Sequence, residues 1–193
     1  MPQVSVRDSR EDDRSWIQSV YRDYLMDLAP SATGLYPMLG ELGSREPDPL
    51  SRLFADANGH VLTICYAEER AGFAKINAVA LRRSPLGAAA APPASRVPPS
   101  DPSAPTAVLP EFSMAEFFIG RAWRRRGMGT QAVRLILDRF TGRWLITEHL
   151  RNDAAVKFWR HVVSAYTAGQ YQERIVNGEV QQRFVSGNRR PGR

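Results

Sequence analysis

The clearest periodic segment near the start of the chain is "SREDDRSWIQSVYRDYLMDL", in which Ile17, Val20, Tyr21 and Tyr24 recur at i, i+3, i+4 and i+7. That spacing predicts a helix with one apolar face. Ser9 followed by Asp12 predicts a capping-box-like start, and Glu11 to Asp13 suit the positive end of the helix dipole. Val4 to Arg7 reads as a short strand ahead of it. "HVLTICYAEE" and "GFAKINAVALRR" are rich in β-branched and aromatic residues and are separated by a polar turn around Glu68 to Arg70. They predict an antiparallel pair of strands. Farther on, "FSMAEFFIG" and "RWLITEH" read as strands. Between them "TQAVRLILDRF" predicts a helix with Val133, Ile136, Leu137 and Phe140 on one face. "NDAAVKFWRHVV" predicts another, with Ala155, Phe158, Trp159 and Val162 in the same spacing and Asn152 as N-cap. Two last strands flank Asn177-Gly178, a strong hairpin signal.

Two stretches break the pattern. "APSATGLYPMLGELGSREPDP", residues 29–49, is irregular and punctuated by glycine and proline, and reads equally as a connector or a substrate-side loop. "DPLSRLFADANG" after it suggests a short helix closed by Asn58-Gly59. Residues 84–110 are low-complexity Ala/Pro/Ser with almost no large apolar side chains. Such composition does not bury enough surface to offset the entropy of ordering, so a flexible insertion is expected there. The expected organisation is a single domain over 1–187, interrupted at 84–110, with a frayed tail at 188–193. The element order, β-α-α-ββ, insertion, β-α-β-α-ββ, predicts a mixed α/β domain around one central sheet.

Composition narrows the chemistry. With 193 residues, 43% of them apolar and 24% charged, the chain suits one soluble globular domain. The formal net charge of +6 favours anionic partners, and of the 26 basic residues only Lys75 and Lys157 are lysine. Cys65 is the sole cysteine, which rules out an intrachain disulfide and a cysteine-rich zinc site. His60, His149 and His161 lack metal-ligand spacing, so no metal is expected. No segment approaches the length of a membrane helix and no signal peptide is evident, which makes a reducing cytoplasm the expected location.

The densest chemical signal is "AEFFIGRAWRRRGMGT", Ala115 to Thr130. A strand that ends in a glycine-containing loop and opens into a helix is a recipe for binding phosphate. The first-turn amides have no intrahelical partner and the dipole adds positive charge. Gly127 and Gly129 permit positive φ and a close ligand approach, while Arg124 to Arg126 add charge at the mouth. Neither G-x-G-x-x-G nor G-x-x-x-x-G-K-[ST] is present. A solvated basic flank is the plain structural alternative.

Arg124 to Gly129, "RRRGMG", resembles the [QR]-x-x-G-x-[GA] acyl-CoA pyrophosphate loop of the GNAT superfamily of N-acetyltransferases. "EFFI" before it, the amphipathic helix after it and "NDAAVKFW" farther on are similar to the family's arrangement, over most of the chain outside 84–110. The resemblance implies an α+β fold with a mostly antiparallel sheet, helices on its faces and a splay between two neighbouring strands, here 115–120 and 144–148. It implies acetyl-CoA as cosubstrate and a primary amine as acceptor, attacking directly in a ternary complex. Backbone around Phe118, Ile119 and Gly120 would hold the pantetheine. Loop amides from Arg124, Arg125, Arg126, Gly127, Met128, Gly129 and Thr130 would hold the pyrophosphate, with Asn152 and Phe158 on the second CoA-contacting helix.

Many members of the family place a tyrosine acid where this chain has Trp159, and an indole donates no useful proton. Tyr166, expected on the following strand, is the nearest tyrosine downstream. Glu116, Glu148 and His149 are the candidate bases. Glu116 on an apolar strand invites a functional explanation, and a salt bridge to an arginine is its alternative. Two other readings stay open: a catalytically silent acyl-CoA binder, favoured by Trp159, and a basic nucleic-acid-binding module. No membrane partner is expected, and a second copy of the chain is left open as a partner.

Overall fold

The computed structural model describes residues 3–28, 53–55, 58–79 and 109–187. The irregular segment 29–49, residues 84–108 of the insertion and the tail 188–193 lie outside the described residues. Of the segment 48–59 in which a short helix is expected, residues 53–55 are described and helical.

Among the described residues, seven strands form one sheet, interleaved with three helices of more than two turns: β1 (Val4–Asp8), α1 (Glu11–Leu28), β2 (Gly59–Tyr66), β3 (Glu69–Val79), β4 (Glu111–Ile119), α2 (Met128–Arg139), β5 (Arg143–His149), α3 (Asp153–Thr167), β6 (Gln172–Val176) and β7 (Glu179–Val185). The order across the sheet is β1-β2-β3-β4-β5-β7-β6. Every neighbouring pair is antiparallel except β4 and β5, the two strands joined through α2. This is the mostly antiparallel, helix-flanked sheet expected from the sequence.

Strand alternation distributes side chains between two cores. Leu62, Ile64, Ala74, Ile76, Ile119, Trp144 and Ile146 belong to the larger one, with Val133, Ile136 and Leu137 of α2 and Trp159 and Val162 of α3. All four residues of the stripe that predicted α2 are buried; of the α3 stripe Trp159 and Val162 are buried, while Ala155 and Phe158 are only partly buried against the core. The opposite face of β3 and β4 presents Phe73 and Phe118, and α1 lays Ile17, Tyr21, Tyr24 and Leu25 against them. Successive strand residues face opposite ways, so one short apolar run serves both layers.

The start of α1 departs from the capping expected at Ser9. The Ser9 hydroxyl pairs instead with Thr63 Oγ1 on β2 at 2.8 Å. Asp13 performs the reach-back, its Oδ2 accepting the Arg10 backbone N–H at 2.8 Å, while Oδ1 accepts from Arg70 Nε at 2.7 Å and Arg7 Nη2 at 2.9 Å. The side chain is fully buried. Its hydrogen bonds to Arg7, Arg10 and Arg70 outweigh burial and hold its pKa well below the usual carboxylate range.

Candidate active site

β4 makes the site by leaving its neighbour. In the ladder with β3, Lys75 lies opposite Glu116 but Ile76 lies opposite Met114, so Ala115 is the extra residue of a β-bulge. On the other side, the parallel ladder with β5 runs from Glu111↔Arg143 to Met114↔Ile146 and stops there. Both strands continue, to Ile119 and His149. The bulge therefore sits where pairing with β5 ends, and beyond it the strands diverge.

Backbone groups are left facing that gap. Gly120 N–H donates to Ala71 O on β3 at 2.8 Å. In a trans peptide the preceding carbonyl points the other way, so Ile119 C=O faces the gap. Arg124 Nε donates to that oxygen at 2.7 Å. The Arg124 guanidinium also lies 5.4 Å from the Phe118 ring centroid and hydrogen-bonds Asp27 at the end of α1. Arg121 reaches the same carboxylate at 2.8 Å. Two loop arginines thus tie the loop to α1.

The loop from Gly120 passes through a 3₁₀ turn at Arg121–Trp123 to Arg124–Gly127 and opens into α2. Arg125 has φ +61° and Gly127 has φ +74°. No side chain caps α2, and its first internal bond is Gln131 N–H to Gly127 O at 3.1 Å. The preceding amides have no partner within the helix, the arrangement that receives anions. Arg125 and Arg126 are exposed, with Arg126 5.9 Å from the Trp123 ring centroid.

The two glycines of the loop do different things. Gly127 needs its positive φ, and a Cβ there would meet only Gln131 Nε2, at 3.8 Å. Gly129 lies inside α2, so the positive φ expected there is not adopted. A Cβ on it would come within 3.1 Å of Phe158 Cε2 on α3. Its missing side chain is what lets the two helices close. Phe158 in turn stacks on Phe117 of β4 at 5.8 Å, and Trp159 meets Phe117 edge-on at 5.4 Å. Asn152 caps α3 by accepting the Ala155 N–H at 3.2 Å. Met128 is buried in the larger core, and Thr130 follows within the first turn of α2.

Glu116 and Glu148 come together electrostatically, each from one of the diverging strands. Burial raises the pKa of Glu116, opposed by a hydrogen bond from Tyr24 and by the charge of Lys75. Burial lifts Glu148 to about 7, opposed by a hydrogen bond from the Trp159 indole and reinforced by the charge of Glu116. The cation beside Glu116 is thus the buried Lys75 across the ladder rather than an arginine. Tyr24 of α1 donates its hydroxyl to Glu116 Oε2.

Tyr166 is not brought to this group. It lies on α3 rather than on a strand, because the helix runs on to Thr167, and its hydroxyl hydrogen-bonds Asp138 Oδ1 on α2 at 2.8 Å. Its offset of seven helical positions from Trp159 places it about 10 Å farther along the helix axis. His149 ends β5 and is exposed. In the sequence Tyr24 is one position of an apolar stripe, and Lys75 carries no expected role. A lone lysine inside "GFAKINAV" was the available signal, since a buried cation in a strand requires a partner. Among the described residues no group of His, Cys, Asp and Glu could hold a metal ion.

A bulged β4, a splay against a parallel β5 and an uncapped helix after a glycine-bearing loop define an architecture. The fold is that of the GNAT acetyltransferases. A GNAT-family acetyltransferase from Streptococcus agalactiae superposes with a TM-score of 0.60 at 9% identity, covering 96% of each chain. Arabidopsis thaliana NAA60, solved with acetyl-CoA, gives 0.57 at 11% identity over 95% of this chain and 98% of its own. The ribosomal-protein-S18-alanine N-acetyltransferase of Escherichia coli gives 0.54 at 9% identity, over 98% and 97%. No protein-family model and no curated protein matches the sequence.

Proposed function

We propose that this chain is an N-acetyltransferase that moves an acetyl group from acetyl-CoA to a primary amine by direct attack in a ternary complex. The observation that carries the reading is the pair of half-buried carboxylates, Glu116 and Glu148, flanking the β4–β5 splay beside the uncapped start of α2. The structures that share the fold include an acetyl-CoA complex and N-acetyltransferases, which supports the same donor here.

In this reading the pantetheine lies in the gap along Phe118 to Gly120, and the pyrophosphate meets the amides of residues 125–130. The Arg124 side chain is already engaged by Asp27 and Ile119 O, so its loop position contributes backbone first. The acceptor arrives as an ammonium ion. Glu148, with a pKa near 7, or Glu116 accepts its proton, and the free amine attacks the thioester carbonyl. The C–S bond breaks as the amide forms, the nitrogen gives up its second proton to water, and the CoA thiolate takes a proton from water, since Trp159 supplies no acid. No helix among the described residues is long and apolar enough to cross a membrane. We place the enzyme in the cytoplasm.

The test is thiol release from acetyl-CoA across kanamycin, spermidine and a peptide with a free N-terminus, repeated with Glu116→Gln and Gly127→Trp. Release with at least one amine, lost in both variants, supports the reading. Thermal stabilisation by acetyl-CoA without thiol release from any amine would mark a silent acyl-CoA binder, the reading that Trp159 favours.

A further inference from the structure

We propose that Tyr24 is a positioning residue that holds the Glu116 carboxylate ionised and oriented in the splay; the role rests on the acetyl-transfer reading above. The argument starts from where the hydroxyl is. Tyr24 lies in the second-last turn of α1, ninety-two residues from Glu116 in sequence, and donates to Oε2.

The ring that carries this hydroxyl has little freedom. It is 8% exposed and meets Phe73 edge-on at 5.6 Å and Phe118 edge-on at 5.8 Å, with Tyr21 at 5.5 Å. Such edge-to-face contacts are favourable beyond their burial, so the phenol is held by packing and not by the carboxylate alone. Burial, then the charge of Glu116, push the phenol's ionisation well above its ordinary value. It is therefore a donor at every working pH.

A fixed donor on one carboxylate oxygen favours the ionised form and aims the other oxygen. Among the described residues, the charged and titratable groups that face Glu116 come from each packed element. Tyr24 comes from α1, Lys75 from β3 and Glu148 from β5. Lys75 and Tyr24 favour the charge, while burial opposes it. Without the Tyr24 hydroxyl the balance tips towards the protonated, useless form. The placement of Tyr24 is also tied to the donor site. Asp27, one turn later on α1, is the residue that Arg121 and Arg124 grip.

The test is Tyr24→Phe, which keeps the packed ring. Carboxyl-13C glutamate is introduced, the Glu116 signal is assigned by its loss in Glu116→Gln, and its titration midpoint is followed by NMR. The expected result is an upward move of about one pH unit in Tyr24→Phe. With an amine that releases thiol, the acidic limb of kcat/KM moves up with it and kcat falls about tenfold. A thermal midpoint close to that of the native protein accompanies these changes. Thiol release with an unmoved Glu116 midpoint would overturn the Tyr24 role alone. No thiol release from the native protein with any amine tested would overturn the acetyl-transfer reading, and this role with it.

Discussion

Arg124 Nε donates to the Ile119 carbonyl at 2.7 Å while the same guanidinium holds Asp27 on α1. The carbonyl is one that faces the splay, where an extended pantetheine would seek backbone partners. In the proposed reading, the side chain whose loop position defines the expected cofactor contact would occupy part of that path, held there by Asp27.

Weakening that grip should favour the donor. Asp27→Asn removes a negative charge near the polyanionic cofactor and frees Arg124 to turn towards it. Acetyl-CoA affinity is expected to rise about 3- to 10-fold, with a stability loss of about 1 kcal/mol or less because the pair is part-exposed. Titration calorimetry and chemical denaturation read the two effects. Weaker acetyl-CoA binding would mean that the ion pair preorganises the loop instead.

Gly127→Trp should abolish stabilisation by acetyl-CoA while leaving the fold. The strain of a side chain at positive φ is about 1 kcal/mol, and a Cβ there makes only an ordinary contact, 3.8 Å from Gln131 Nε2. Thermal shift with and without acetyl-CoA checks this. Normal cofactor stabilisation in the variant would refute the assignment of the loop.

Gly129→Val should behave in the opposite way. Its Cβ alone would approach Phe158 to 3.1 Å, and two further methyls force α2 and α3 apart. A loss of about 1–3 kcal/mol is expected before any ligand is added, measured by urea unfolding. The pair of variants separates a glycine needed for its backbone from one needed for its absent side chain.

The pH dependence of Glu148 has a definite sign. Its folded pKa, about 7, lies above the unfolded value of about 4.3, so between those limits the native state binds the extra proton. Stability therefore falls as pH rises from about 4 to 7 and is level beyond. Glu148→Gln should flatten that slope and gain on the native protein by up to about 2–3 kcal/mol at pH 8. If Glu148 is the base, thiol release in the native protein rises through pH 7 and loses that limb in the variant. Denaturation midpoints from pH 4 to 8, and rates over the same range, decide it.

Much of this architecture was legible in the sequence because its elements are locally encoded. The stripe Val133, Ile136, Leu137 and Phe140 could only be buried as a helix, and the strand–loop–helix run from Glu116 to Thr130 placed Glu116 and the loop together. What stayed hidden depends on distant pairing. Tyr24 has the spacing of a core residue, and its ring is indeed packed. Only the crossing of α1 over β4 reveals that its hydroxyl meets Glu116. Tyr166 misled for the converse reason: nearness in sequence to Trp159 became distance once α3 continued to Thr167. The bulge at Ala115 leaves no mark in composition, since any small residue can occupy it.

The early end of the β4–β5 ladder has a mechanical consequence. Four residue pairs, Glu111↔Arg143 to Met114↔Ile146, lace one side of the sheet to the other, against a full seven pairs between β5 and β7. The midline is a seam. A molecule lodged in the opening acts as a rivet across it, joining two plates that the backbone leaves half unstitched. Occupancy should then slow amide exchange on both sides of the seam at once.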